Sequence, residues 1–129
     1  MSTSQQTSLQ ILDTLDRFAR AWSRKDLDGL LSLADPEITG FFPRTTRRIQ
    51  GSDRFSRSVS EMCSGSGGSI LRFHDPLVEA IGTVAWVSSG YSLEQGEGDM
   101  TSRENGRFTA VLKGTGHSWL FSQFHFSLP

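Results

Sequence analysis

The C-terminal part of the chain alternates apolar and polar residues almost without interruption, and this constrains the fold more than any other feature. Residues 107–113 and 117–127 both show a period of two, which is typical of β-strands, and a Gly-Thr-Gly turn separates them. Neighbouring side chains of a strand lie on opposite faces of its sheet. One face of the last strand then carries Trp119, Phe121, Gln123 and His125, and the other carries Leu120, Ser122, Phe124 and Phe126. Since both faces hold aromatic rings, we expect the sheet to be covered on both sides.

Three helical patterns precede these strands. Apolar residues repeat every three or four positions from Ser8 to Trp22, which predicts an amphipathic helix. A second, short helix is expected over Asp26–Ala34, where the following Asp-Pro pair ends it, because proline disfavours helical backbone at the residue before it. A short strand is predicted at Ile38–Pro43, and a third helix over residues 51–63.

The rest of the chain has β character, with predicted strands at 69–80, 83–95, 100–113 and 117–127. Asp75-Pro76 predicts a bend or bulge in the first of them, since proline interrupts a ladder. Helices followed by a run of strands predict an α+β fold, with three N-terminal helices packed on a strongly bent antiparallel sheet. Such an arrangement is a cone whose open end forms a pocket. We expect residues 1–7 to be frayed and residues 8–129 to form a single domain.

Composition excludes several classes of function. The net charge of −1 gives no basic footprint for nucleic acid. A single cysteine, Cys63, allows no internal disulfide, and the three scattered histidines have no metal-ligand spacing. No apolar run is long enough for a membrane span, and the N-terminus has no signal-peptide pattern. We therefore expect a cytoplasmic protein without metal or cofactor.

Six segments, in this order, resemble the nuclear transport factor 2-like superfamily, in particular its SnoaL-like branch: residues 21–31, 35–43, 49–55, 82–87, 106–112 and 119–126. The resemblance implies the cone-shaped fold and a pocket for a small molecule. The segment Gln123–Ser127 also resembles the last strand of the association domain of calcium/calmodulin-dependent protein kinase. There a histidine on this strand and an arginine on the preceding one line the pocket, which implies those roles for His125 and Arg107.

The candidate site follows from these interpretations. Arg107, Gln123 and His125 are predicted to be polar anchors in the pocket, since an arginine and a histidine on neighbouring strands suit a carboxylate or another anion. Arg44, in the loop before the third helix, is expected to steer an anionic ligand at the pocket mouth, while Arg47 and Arg48 are expected to be solvated. The predicted aromatic walls are Trp22, Phe42, Phe55, Trp86 and Phe121.

Three functions remain open at this point. The first is binding of a small organic ligand, neutral or anionic. The second is an isomerase, cyclase or dehydratase with His125 as its acid or base. The third is a homodimerisation module without a ligand. In each case we expect a homodimer packed sheet to sheet through the apolar residues Phe108, Ala110, Leu112, Leu120, Phe124 and Phe126.

Overall fold

The computed structural model describes residues 3–65 and 67–129, and within these ranges three helices pack on one six-stranded sheet. The predicted α+β fold, with helices on a strongly bent sheet, is confirmed. The elements are, in chain order, α1 (Gln5–Ser23), α2 (Leu27–Ser32), β1 (Ala34–Phe41), β2 (Ile49–Gln50), α3 (Ser52–Ser64), β3 (Gly68–Ile81), β4 (Val84–Gly96), β5 (Ser102–Gly114) and β6 (Trp119–Ser127). In these ranges no helix has the length and apolarity that a membrane crossing requires.

Helix α1 begins earlier than predicted, because Ser4 caps it. The Ser4 hydroxyl accepts a hydrogen bond from the backbone N–H of Thr7 at 3.1 Å, which satisfies one of the free N–H groups of the first turn. The expected frayed segment 1–7 is therefore helical from Gln5 onward, and its residues 1 and 2 lie outside the described ranges. The inner face buries Ile11, Leu15, Phe18 and Trp22 against the sheet.

Helix α2 is shorter than predicted. Asp26 caps its start, with the carboxylate accepting from the N–H of Gly29 at 2.9 Å. Its end is set by the sheet, because the C=O of Leu33 accepts from the N–H of Phe121 at 2.7 Å and Ala34 already pairs with β6. Leu33 and Ala34, which the local sequence pattern assigned to the helix, are therefore held by hydrogen bonds and strand pairing with β6.

The strands follow the order β2-β1-β6-β5-β4-β3. Neighbouring strands are antiparallel, as predicted for the sheet, except β1 and β6, which run parallel. The short strand β2 was not predicted from sequence. It brings the loop 42–48 back to β1 and directly into α3.

The strand register shifts at three places, between β1 and β6, between β3 and β4 and between β5 and β6, and the last two are β-bulges. In β3, Asp75 and Pro76 together lie opposite Ser89, and Asp75 has a φ of 53°, which confirms the predicted bend. In β6, Val111 pairs with Gln123 and Leu112 with Phe121, so Ser122 is the extra residue. This second bulge lets Phe121 and Phe124 point to the same face although they are three positions apart.

The faces of β5, and of β6 after the bulge, are opposite to those that alternation suggested, while Leu120 and Phe121 keep the outer and inner faces predicted for them. Phe108, Ala110, Leu112, Phe124 and Phe126 are all buried under the helices, so they do not form the predicted outer apolar surface. The more apolar face of a sheet packs on the helices. The prediction had instead placed the face that carries His125 inside the cone. The bulge at Ser122 had also concealed that Phe121 belongs with the buried set.

Candidate functional site

A cavity of about 600 Å³ lies between α3, the loop 42–48, β4 and the end of α1. A volume of this size suits a small organic ligand. We call it the arginine cavity. It is lined by Trp22, Phe42, Pro43, Arg44, Thr45, Arg47, Arg48, Ile49, Arg54, Arg57, Ser58, Glu61, Met62, Leu93 and Gln95.

The inner wall of the arginine cavity is aromatic and rigid. The rings of Trp22 and Phe42 lie 5.8 Å apart, and the Trp22 indole N–H donates to the Ser69 hydroxyl at 2.9 Å. Phe55 stacks behind Phe42 with a centroid distance of 5.7 Å and an interplanar angle of 28°. Since Trp22 and Phe42 are themselves 6 % and 4 % exposed, this wall is held in place by the core.

The rim of the arginine cavity is cationic. Helix α3 contributes Arg54 and Arg57, which are three positions apart and therefore neighbours on one face of the helix. The loop contributes Arg44, Arg47 and Arg48, all of them exposed. Glu61 is the one carboxylate among the lining residues.

Arg44 has a fixed backbone. The Thr45 N–H donates to the C=O of Phe42 at 3.4 Å, and the Thr45 hydroxyl donates to the same oxygen at 2.9 Å, which closes a turn over residues 42–45. Proline at the second position and a positive φ of 63° at Arg44, the third, are typical of a type II turn. Glycine is the residue usually found at that third position, so an arginine there needs compensating contacts.

Glu104 on β5 supplies that contact. Its Oε2 lies 2.6 Å from the Nε of Arg44, and the Tyr91 hydroxyl donates to its Oε1 at 3.1 Å. The Glu104 side chain is only 8 % exposed, whereas that of Arg44 is 56 % exposed. Burial, followed by the charge and the hydrogen bond of Glu104, raises the pKa of Tyr91 to about 12, so this phenol is a stable hydrogen-bond donor at neutral pH.

The structure brings part of the predicted site together. Trp22, Phe42 and Arg44 line the arginine cavity, and Phe55 supports it from behind. Phe121 is buried elsewhere in the core, with its ring 5.1 Å from that of Phe18.

The remaining predicted residues lie on the other face of the sheet. Arg107, Gln123 and His125 are exposed there, and His125 packs its ring 5.2 Å from that of Phe41. Trp86 is also on this outer face and is 38 % exposed. Their expected orientation into the cone is wrong, because the opposite faces of β4, β5 and β6 supply the buried residues. That any of these four residues contacts a ligand stays a prediction.

Sequence reasoning missed Arg54, Arg57, Glu104 and Tyr91. The sequence did hold a signal for the two arginines, because Arg54, Arg57 and Glu61 are spaced three and four positions apart and therefore share one polar face of α3. Glu104 shares the parity of Phe108 and Ala110 along β5, so it points inward once the buried face of that strand is known.

A second groove, of about 490 Å³, lies between α1 and β3. Its arginines include Arg20, whose Nη2 is 3.0 Å from the carboxylate of Asp16. This groove is lined by three arginines, against five at the arginine cavity, and one of the three is in this ion pair.

Comparison with known proteins agrees with the fold. The family model of the SnoaL-like domain matches residues 11–129. Among curated proteins, none matches the sequence significantly.

Three solved structures illustrate the likeness. A candidate dehydratase of the nuclear transport factor 2-like family from Streptomyces avermitilis superposes with a TM-score of 0.89 at 18 % identity, over 98 % of this chain and 99 % of that one. A nuclear transport factor 2-like protein of unknown function from Pseudomonas putida gives 0.87 at 18 % identity, over 98 % and 89 %. A candidate calcium/calmodulin-dependent protein kinase II association domain from Xanthomonas campestris gives 0.76 at 12 % identity, over 92 % and 85 %. At these identities the likeness shows a common fold, and the function of one protein cannot be transferred to another.

Proposed function

We propose that this chain, which belongs to the SnoaL-like domain family, binds a small anionic organic molecule in the arginine cavity. The observation that carries the proposal is the pairing of a rigid aromatic wall, Trp22 and Phe42, with a rim of five arginines. An apolar ring gains from burial against such a wall, and a guanidinium forms strong, directional hydrogen bonds with a carboxylate or a phosphate.

Charge segregation supports the same proposal. The whole chain has a net charge of −1, yet among the described residues the cavity is lined by five arginines and one carboxylate, Glu61, and Glu104 pairs with Arg44 behind the rim, which leaves three positive charges there. Gathering like charges around a concavity is unfavourable unless solvent or a bound anion compensates them.

Catalysis is less well supported than binding. One structural relative is a candidate dehydratase, but within residues 3–65 and 67–129 no histidine is among those that line the arginine cavity. An isomerase, cyclase or dehydratase that used His125 would need its substrate on the outer face of the sheet, where that side chain is exposed.

The binding proposal is tested with matched ligands that differ only in charge. Aromatic carboxylates such as 1-naphthoate are compared with their neutral amides by thermal shift and isothermal titration calorimetry. We expect the carboxylates to bind more tightly, and we expect Arg44→Gln to remove most of that preference. Arg103→Gln, an exposed arginine outside the cavity, is the control and is expected to keep the preference. Equal binding of acid and amide to the wild-type protein would overturn the proposal.

We also propose a homodimer that packs through the outer face of the sheet. Leu77, Ile81, Val84 and Trp86 are exposed near one end of the β3–β4 hairpin, at 62 %, 74 %, 41 % and 38 %, and form an apolar patch that a monomer would leave in water. Sedimentation velocity is expected to give twice the 14.3 kDa of the chain, and Trp86→Glu is expected to give the monomer. A wild-type monomer at micromolar concentration would contradict this arrangement.

A further inference from the structure

The arginines of α3 have no acidic partner among the residues that the structure describes. Ion pairs in these ranges join Arg44 to Glu104 at the rim, but none includes Arg54 or Arg57. Both side chains are exposed and line the arginine cavity on the same helix face. Two neighbouring guanidinium groups therefore face the cavity with their hydrogen-bonding capacity free for a ligand.

Arg44 faces the same cavity from the opposite element. Its Nε is occupied by Glu104, and no hydrogen bond to its Nη atoms is made by the described residues. A guanidinium held through Nε keeps both Nη groups for another acceptor. The cavity thus offers one arginine fixed by a buried carboxylate and two from a helix.

We infer that the arginine cavity is selective for a ligand whose anionic group carries two negative charges, such as a phosphomonoester on a flat ring. This inference rests on the proposed function and deepens it. A carboxylate has one charge and two acceptor oxygens, which Arg44 alone satisfies. A phosphoryl group has three acceptor oxygens and a charge of nearly −2, so it engages arginines from the loop and from α3 together.

Three probes with one common ring separate the possibilities: 1-naphthamide, 1-naphthoate and 1-naphthyl phosphate, titrated calorimetrically into the full chain at pH 7.5. We expect the phosphate to bind about tenfold more tightly than the carboxylate, which is the gain of one further charge-assisted contact. Lowering the pH to 5 adds a proton to the phosphate, whose second pKa is about 6, and is expected to reduce that advantage.

A pair of variants locates the effect. Arg57→Gln is expected to remove the advantage of the phosphate over the carboxylate while 1-naphthoate still binds better than 1-naphthamide. Arg103→Gln, on the outer face of β5, is expected to change neither ratio. Both replaced side chains are exposed, so we expect the variants to fold, and circular dichroism is used to check this.

The outcomes distinguish the inference from the proposed function. Equal affinity for phosphate and carboxylate, with the amide weaker, would overturn selectivity for a dianion and leave the binding of anions intact. If neither anion binds more tightly than the amide, or if no probe binds, both the selectivity for a dianion and the proposed binding of anions are overturned.

Discussion

Arg44 and Glu104 are 60 positions apart in the chain, and the Nε of one lies 2.6 Å from a carboxylate oxygen of the other. The contact joins an exposed turn to the inner face of β5. It places a buried negative charge directly behind the positive rim of the arginine cavity, where it holds Arg44 in a conformation that arginine rarely adopts.

Loss of the Glu104 carboxylate should destabilise the protein. Glu104→Ala leaves the buried Tyr91 hydroxyl without its acceptor and Arg44 without its ion pair, so we expect the free energy of unfolding to fall by about 1–3 kcal/mol. Urea denaturation measures it. Glu94→Ala is the matched control, because its contacts with Arg72 and Arg103 are 3.8 and 3.9 Å long and half-exposed, and the expected change is about 0.5 kcal/mol or less. Similar losses in both variants would show that the Glu104 contacts are ordinary surface contacts.

Tyr91 is the one tyrosine in the sequence, which makes its ionisation measurable on its own. Tyrosinate absorbance at 295 nm should appear near pH 12 in the folded protein and near pH 10 in urea. The native state binds the phenolic proton more strongly than the unfolded state does. Stability from this group is therefore complete below about pH 10 and is lost as the pH rises toward 12.

The Glu104→Ala variant tests the cause of this pKa shift. The charge and hydrogen bond of Glu104 both raise the pKa of Tyr91, but burial contributes most, so the variant should titrate lower than wild type and still above pH 10. A folded wild-type protein that titrates near pH 10 would show that the phenol is open to water.

The turn at Arg44 can be tested by two replacements that both remove the guanidinium. Because φ is 63° at this residue, alanine keeps the backbone strain and glycine relieves it. We expect Arg44→Gly to be more stable than Arg44→Ala by about 1 kcal/mol in thermal or chemical denaturation. Both variants should lose the preference for carboxylates over their amides to the same extent, because both lack the guanidinium. An alanine variant at least as stable as the glycine variant would mean that the turn relaxes to negative φ.

The orientation of β6 can be tested at two adjacent positions. Phe124 is 2 % exposed and its ring lies 4.8 Å from that of Phe42, so Phe124→Ala should cost about 3–5 kcal/mol. His125→Ala, on the outer face, should cost less than a third as much. Equal costs at the two positions would contradict the face assignment.

The sequence was sufficient for the fold class and for three of the fifteen residues that line the arginine cavity. Helical spacing located α1 and α3, and alternation located the four long strands, because periodicity reports which residues share a face. Trp22, Phe42 and Arg44 line one cavity, since the loop after β1 borders it, and their contact with a ligand stays a prediction.

The same periodicity could not say which face of β5 and β6 is inside. Gln123 and His125 were placed in the pocket because they are polar residues on a strand with two partly aromatic faces, and because the resemblance to the kinase association domain implied a pocket histidine on this strand. A one-residue bulge at Ser122 then changes the parity within the strand, and nothing local in the sequence marks it. The contact of Glu104 with Arg44 could not be predicted for a similar reason, because it depends on how β5 is positioned against the distant loop 42–48.

The segment that carries Arg44, Arg47 and Arg48 is anchored at its two ends by Phe42 and Ile49, which are 4 % and 7 % exposed. Between these anchors residues 44–48 are exposed, so they contribute little to the hydrophobic core. Selection can therefore replace Arg47 and Arg48, and with them part of the chemistry presented to a ligand, while the two apolar anchors preserve folding. In this protein part of the capacity to acquire a new specificity is therefore encoded by a few surface codons, beside those of the α3 arginines.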